Sequence, residues 1–197
     1  LERLKAEGSK TRADVLITSD AGRLHKARAA GLLQPAQSEQ LNSRIPAHLR
    51  DPEGYWYGFT LRARVLVYAK DRVSSEELNS YESLSNEKWR GRVLARSSSN
   101  IYNQSLLASI IASNGEKSAF KWAKALRSNM ARSPQGSDRD QMRAVAAGLA
   151  DVAIVNTYYL GLLQNSESAK DRAVADKLAV FFPNQEGRGA HINVSGG

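Results

Sequence analysis

The chain of 197 residues contains no cysteine, which excludes disulfides, thiolate-bound metals and cysteine nucleophiles. It also lacks any run of 18 apolar residues, so the sequence predicts no membrane-spanning helix. Histidine is rare and dispersed, because His25, His48 and His191 stand far apart, and this spacing disfavours a catalytic zinc site. Phosphate-binding glycine loops and the G-x-S-x-G nucleophile motif are missing as well, so we expect no enzymatic activity.

Positive charge is in excess, with 28 Lys and Arg against 20 Asp and Glu and a net charge of +8. Such a balance favours anionic partners, including nucleic acid. The basic residues are scattered along the sequence, however, and form no run of the kind that marks a nucleic-acid-binding arm. We therefore interpret the charge as a solvated basic surface and expect no nucleic-acid partner. A nucleic-acid-associated or regulatory effector domain stays as an alternative.

Short apolar segments alternate with amphipathic ones along the chain, which predicts an α/β fold with mostly parallel strands. The predicted strands cover residues 13–18, 56–68, 92–95, 151–155, 177–183 and 190–195. Asp20 follows the first of them and is predicted to cap a helix. A further helix is predicted directly after Ser97–Asn100, where a strand ends.

Two adjacent tyrosines, Tyr158 and Tyr159, stand just past the predicted buried strand 151–155. In open α/β sheets ligands bind at the carboxyl ends of the strands. If a helix begins there, neighbouring side chains fan by about 100°, so both phenols can face one ion. Tyr102 occupies a similar strand-to-helix turn, and anionic phenolate oxygen suits a small, highly charged cation such as Fe(III).

The same three tyrosines are also compatible with packing, in which the rings fill the core or its rim and the hydroxyls find hydrogen-bond partners. Composition and spacing alone favour this simpler interpretation over a metal site.

Five segments resemble, in order along the chain, those of type II periplasmic solute-binding proteins. They read ADVLITSDAGRLHKARAAGLLQP, FTLRARVLVYAK, YESLSNEKWRGRV, AVAAGLADVAIVNTYYLG and GAHINVSGG. The fourth is similar to the double-tyrosine motif of the ferric-iron-binding branch of that family. A sixth segment, SSSNIYNQ, resembles the cyanobacterial-type iron-uptake receptors that use several tyrosines.

The resemblance implies that Fe(III) is bound by the phenolates of Tyr102, Tyr158 and Tyr159. Arg62 matches the family's arginine near the hinge, and its charge would offset the excess negative charge of the phenolates. Asp20 stands where some relatives carry a glutamate ligand, but we expect it to act as a helix cap.

A helix N-terminus is a ready anion site, and in some relatives this one holds a synergistic anion such as carbonate. The matching residues here are Ser98, Ser99 and Asn100. A simple N-cap is the alternative role for them.

The resemblance also implies a periplasmic-binding-protein type II fold, with two α/β lobes joined by hinge strands and closing on the iron. Residues 1–62 plus 189–197 are expected to form part of lobe 1, and residues 63–188 lobe 2. Family members extend past both ends, so the chain is expected to be truncated at both. We expect a periplasmic monomer that delivers iron to the membrane permease of an ABC importer. The alternative is the same fold binding a polyamine, an anion or another small solute.

Overall fold

The computed structural model describes residues 1–197, which form six β-strands and eight α-helices together with short 3-10 turns. The strands are β1 (Thr18–Ser19), β2 (Gly58–Ala69), β3 (Val93–Ala95), β4 (Val152–Asn156), β5 (Leu178–Phe181) and β6 (Ile192–Gly196). The helices are α1 (Glu2–Glu7), α2 (Ala21–Ala29), α3 (Glu39–Arg44), α4 (Ile101–Asn114), α5 (Glu116–Asn129), α6 (Asp138–Ala146), α7 (Tyr158–Gln164) and α8 (Ala169–Asp176). None of these helices is long and apolar enough to cross a membrane.

The chain divides into two compact units. The first unit consists of Leu1–Leu61 together with Asn193–Gly197, and the second consists of Arg62–Ile192. All the residues that the sequence nominates for a metal or anion site belong to the second unit.

In the first unit, Asp20 directly precedes α2 and is fully buried. Its Oδ1 accepts a hydrogen bond of 2.9 Å from the backbone N–H of Gly22, as an N-cap does. Its Oδ2 accepts a bond of 2.6 Å from the side-chain amide of Asn193. The prediction of a helix cap is confirmed, and both carboxylate oxygens are already occupied by these bonds.

The prediction of a buried strand over residues 13–18 is wrong for most of that segment. Only Thr18 and Ser19 form β1, and they pair antiparallel with β6. Val15 and Ile17 are 69% and 70% exposed. The physical reason is that a strand needs a partner along its whole length, and the pairing with β6 extends over two residues only.

The second unit is built on a sheet in the order β5-β2-β4-β3. β3 and β4 are parallel, whereas β2 runs antiparallel to both β4 and β5. The prediction of mostly parallel pairing is therefore wrong. The strand–helix alternation does give β3, β4 and β5 one common direction, but β2 lies between two of them and points the opposite way.

Helices cover both faces of this sheet. Alternate residues of its strands point to opposite faces and therefore pack into two different cores. Leu66 of β2 and Ile154 of β4 pack with the buried face of α4 and α5. Their neighbours, including Val65 and Val155, pack with α6, α7 and α8. β4 is buried along its entire length, which fixes the position of the residues that follow it.

Candidate metal centre

Two tyrosine-bearing turns lie at one edge of the sheet in the second unit. Since β3 and β4 are parallel, their carboxyl ends meet at the same edge. After β3 the chain turns into α4, whose first turn carries Tyr102. After β4 it passes through Thr157 and enters α7 at once, with Tyr158 and Tyr159 as the first two helical residues.

The start of α7 brings the two adjacent phenols together. Successive residues of a helix point about 100° apart, whereas those of a strand point to opposite faces. The ring centroids of Tyr158 and Tyr159 are 4.0 Å apart, and their planes are inclined by 35°. Both side chains are half-buried, as is that of Tyr102.

The electrostatics of the cluster keep Tyr158 protonated in the absence of a cation. Burial raises the pKa of Tyr158 above its ordinary value, and the neighbouring hydroxyls of Tyr159 and Tyr102 raise that pKa further. Arg62 acts in the opposite direction, because its guanidinium carbon lies 5.8 Å from the Tyr158 ring centroid. The Nη1 atom of Arg62 is buried and has no hydrogen-bond partner.

The serine-rich turn before α4 is held by its own hydrogen bonds. Asn100 is the N-cap, with its Oδ1 accepting from the backbone N–H of Tyr102 at 3.0 Å. Ser97 and Ser99 pair through their hydroxyls at 2.9 Å, and Ser98 is exposed. The capping role expected as the alternative is thus present for Asn100, and Ser98 and Ser99 are the residues with polar atoms toward solvent.

A buried ion pair, which was not predicted from the sequence, connects the two tyrosine-bearing turns. The Nη1 atom of Arg64 donates to Oδ2 of Asp138 at 2.6 Å, and both side chains are fully buried. The same carboxylate oxygen accepts from the backbone N–H of Asn156 at 2.9 Å. Arg64 also donates to the side-chain oxygens of Asn103 at 2.7 Å and Asn156 at 3.2 Å. The pair therefore joins the end of β4 to the first turn of α4.

Arg64 carries a weak signal in the sequence, because it stands two residues from Arg62 and so lies on the same side of β2. Asp138 carries none, since an acidic residue in the first turn of a helix is common for helix-dipole reasons. The register that places Arg64 opposite Asn156 is a property of the folded sheet.

The donor set at this edge consists of phenols. No group of three His, Cys, Asp or Glu side chains able to hold a metal ion occurs in residues 1–197. Phenolate is a hard, anionic oxygen donor, and a bound cation of high charge favours it over the phenol. The arrangement is thus suited to a trivalent ion such as Fe(III).

Comparison with known proteins places the chain among binding proteins. The sequence pattern that defines the bacterial extracellular solute-binding proteins matches residues 10–193. The chain is 54% identical over 196 residues to Iron uptake protein A1 of Synechocystis, covering 100% of this chain and 54% of that protein. The chain thus spans about half the length of this relative.

Solved structures of binding proteins are also similar to this chain. A Trichodesmium protein determined in complex with iron and citrate ligands superposes with a TM-score of 0.96 at 53% identity, covering 99% of this chain and 62% of that one. The ferric binding protein of Campylobacter jejuni gives 0.94 at 46% identity, covering 99% and 62%. These likenesses confirm the predicted fold class.

Proposed function

Because the chain belongs to the family of bacterial extracellular solute-binding proteins, we propose that it binds ferric iron through the phenolates of Tyr102, Tyr158 and Tyr159. The observation that carries the proposal is the convergence of two tyrosine-bearing turns at one sheet edge, with the Tyr158 and Tyr159 rings 4.0 Å apart. The names of the Synechocystis and Trichodesmium relatives, which specify iron uptake and bound iron, support it.

The charges near the phenols fit this role. Three phenolates balance the charge of Fe(III), and Arg62 beside Tyr158 compensates the negative charge of any further anionic ligand. We propose that such an anion, carbonate or a small carboxylate, binds near Ser98 and Ser99 at the start of α4, where backbone N–H groups favour anions. The Trichodesmium relative, with citrate as well as iron, supports an anion at such a site.

The wider role follows from the family. We propose that the protein is a binding protein and not an enzyme, that its two units are parts of the two lobes, and that it works in the periplasm as a monomer. It would deliver its iron to the membrane permease of an ABC importer.

Addition of Fe(III) to the iron-free protein is expected to produce a visible phenolate-to-iron charge-transfer band that saturates at one iron per chain. Zn(II), which has no such transition, serves as the blank. A polyamine or a phosphate-like anion is the competing solute, and calorimetric titration with spermidine and with phosphate tests it. A colourless iron titration together with a strong response to either of these solutes would overturn the proposal.

Iron binding is expected to strengthen as pH rises. Burial raises the pKa of Tyr158, so this phenol is protonated near neutral pH and has to release its proton when it binds the metal. Lower pH favours the neutral phenol and weakens binding, by about tenfold per pH unit for each phenol that loses a proton. Protons released per iron are measured in weak buffer, with the same iron chelate titrated into buffer alone as control. Binding without proton release would contradict phenolate coordination.

A further inference from the structure

A cavity of about 570 Å³ lies in the second unit beside the tyrosine-bearing edge. It is lined by α4, α5, Ala95 of β3, Ile154 of β4 and the turn at residues 130–134. Its volume is within the range of about 300–1,000 Å³ that is typical of small-molecule sites. None of Tyr102, Tyr158 and Tyr159 lines it, whereas Ser98 of the turn before α4 does, so the cavity adjoins the candidate metal centre but contains none of its phenols.

The wall of this cavity is mostly apolar. Its apolar lining includes Leu106 and Leu107 of α4, Trp122 and Leu126 of α5, and Met130. Binding of an apolar ligand against this wall is favourable, in proportion to the apolar area that is removed from water.

Its charged groups are all of one sign. Arg96, Arg127 and Arg132 line the cavity, and no Asp or Glu does. Arg96 lies 3.8 Å from Asp138, but Arg127 and Arg132 take part in none of the ion pairs of the structure. A ligand with one anionic group is therefore complementary to this lining.

Arg132 is the side chain best placed to hold that group. Its Nη2 donates to Oε1 of Gln141 at 3.2 Å, which orients the guanidinium, and the side chain is only partly buried. Because Arg132 lines the cavity and takes part in no ion pair, a bound carboxylate would supply its counter-charge.

We propose that this cavity is a second ligand site, which binds an amphipathic monocarboxylate. The apolar body of the ligand lies against Trp122, Leu126 and Met130, and its carboxylate accepts hydrogen bonds from Arg132. The proposal goes beyond iron binding and does not depend on it.

Calorimetric titration of the iron-free protein with decanoate, at concentrations below micelle formation, tests the proposal. Decanoate is expected to bind, and each methylene removed along a series to octanoate and hexanoate is expected to weaken binding about fourfold. Decanol, which has the tail without the charge, is expected to bind at least about tenfold more weakly. Equal affinity for decanoate and decanol, or affinity that does not depend on tail length, would overturn the assignment.

Two substitutions test separately the contributions of the ligand's carboxylate and of its apolar tail to binding. Arg132→Gln is expected to bring decanoate affinity down to that of decanol without changing decanol binding. Ala123→Phe, which fills the cavity from α5, is expected to weaken both ligands by at least about tenfold. Lys124→Gln, an exposed position on the same helix outside the lining, is the matched control and is expected to change neither.

Circular dichroism confirms that each variant is folded. If Ala123→Phe does not fold, the comparison of decanoate and decanol on Arg132→Gln decides alone. A folded Arg132→Gln that binds decanoate as tightly as the unmodified protein refutes the proposed site.

Discussion

Replacing Tyr158 with phenylalanine is expected to weaken ferric-iron binding by more than about 100-fold and to remove most of the visible phenolate band. The substitution keeps the ring that stacks on Tyr159 but deletes the oxygen that would coordinate the metal. Loss of a group that merely supports a ligand typically costs about 10–100-fold in metal affinity, so loss of a ligand itself should cost more. Tyr159→Phe is expected to act in the same way. Affinity is measured by competition with a chelator of known strength.

Tyr68→Phe is the matched control for this experiment. Tyr68 lies on β2 in the same unit and pairs with Val152, at the end of β4 opposite to Asn156 and the candidate site. The substitution removes one phenol hydroxyl outside the tyrosine cluster, so the charge-transfer band and the iron affinity should not change. If Tyr158→Phe behaves like Tyr68→Phe, then Tyr158 is a packing residue and the metal assignment fails.

The position of Tyr158 and Tyr159 was predictable from the sequence because it depends on local signals. A fully apolar run, 152–155, ends at a polar residue, which places both phenols just past the carboxyl end of a buried strand. The helix that brings them together was only a condition of the prediction, because threonine and tyrosine, the residues at its start, are not strong helix formers. Tyr102 follows from the same logic, since Asn100 is a favourable cap for the helix that carries it. That these two turns share one sheet edge required the further inference that β3 and β4 are parallel.

The support beneath the tyrosines could not be predicted, because it depends on long-range register. Arg64 and Asp138 are 74 residues apart, and a charged residue within a strand pattern ordinarily indicates the solvent-facing side. Only the antiparallel insertion of β2 beside β4 brings Arg64 opposite Asn156 and over the start of α6. The same insertion is the reason why the expectation of mostly parallel strands fails.

Asp138→Asn is expected to lower the free energy of unfolding by about 3–5 kcal/mol, which is typical when one partner of a buried ion pair is removed. The variant keeps the size of the side chain but leaves the fully buried Arg64 guanidinium without a counter-charge. The Asp138 carboxylate also accepts from the N–H of Asn156, two residues before Tyr158, so iron affinity should fall together with stability. Urea unfolding followed by tryptophan fluorescence measures the first effect.

Two further variants show whether the charge pair itself is responsible. The double variant Arg64→Met/Asp138→Leu is expected to lose less stability than the sum of its single variants, because it buries no unpaired charge. Glu87→Gln removes an exposed partner of Arg90 and should change the free energy of unfolding by less than about 0.5 kcal/mol. If Asp138→Asn costs no more than Glu87→Gln, the amide oxygens of Asn103 and Asn156 are sufficient to stabilise Arg64, and the carboxylate has no structural role.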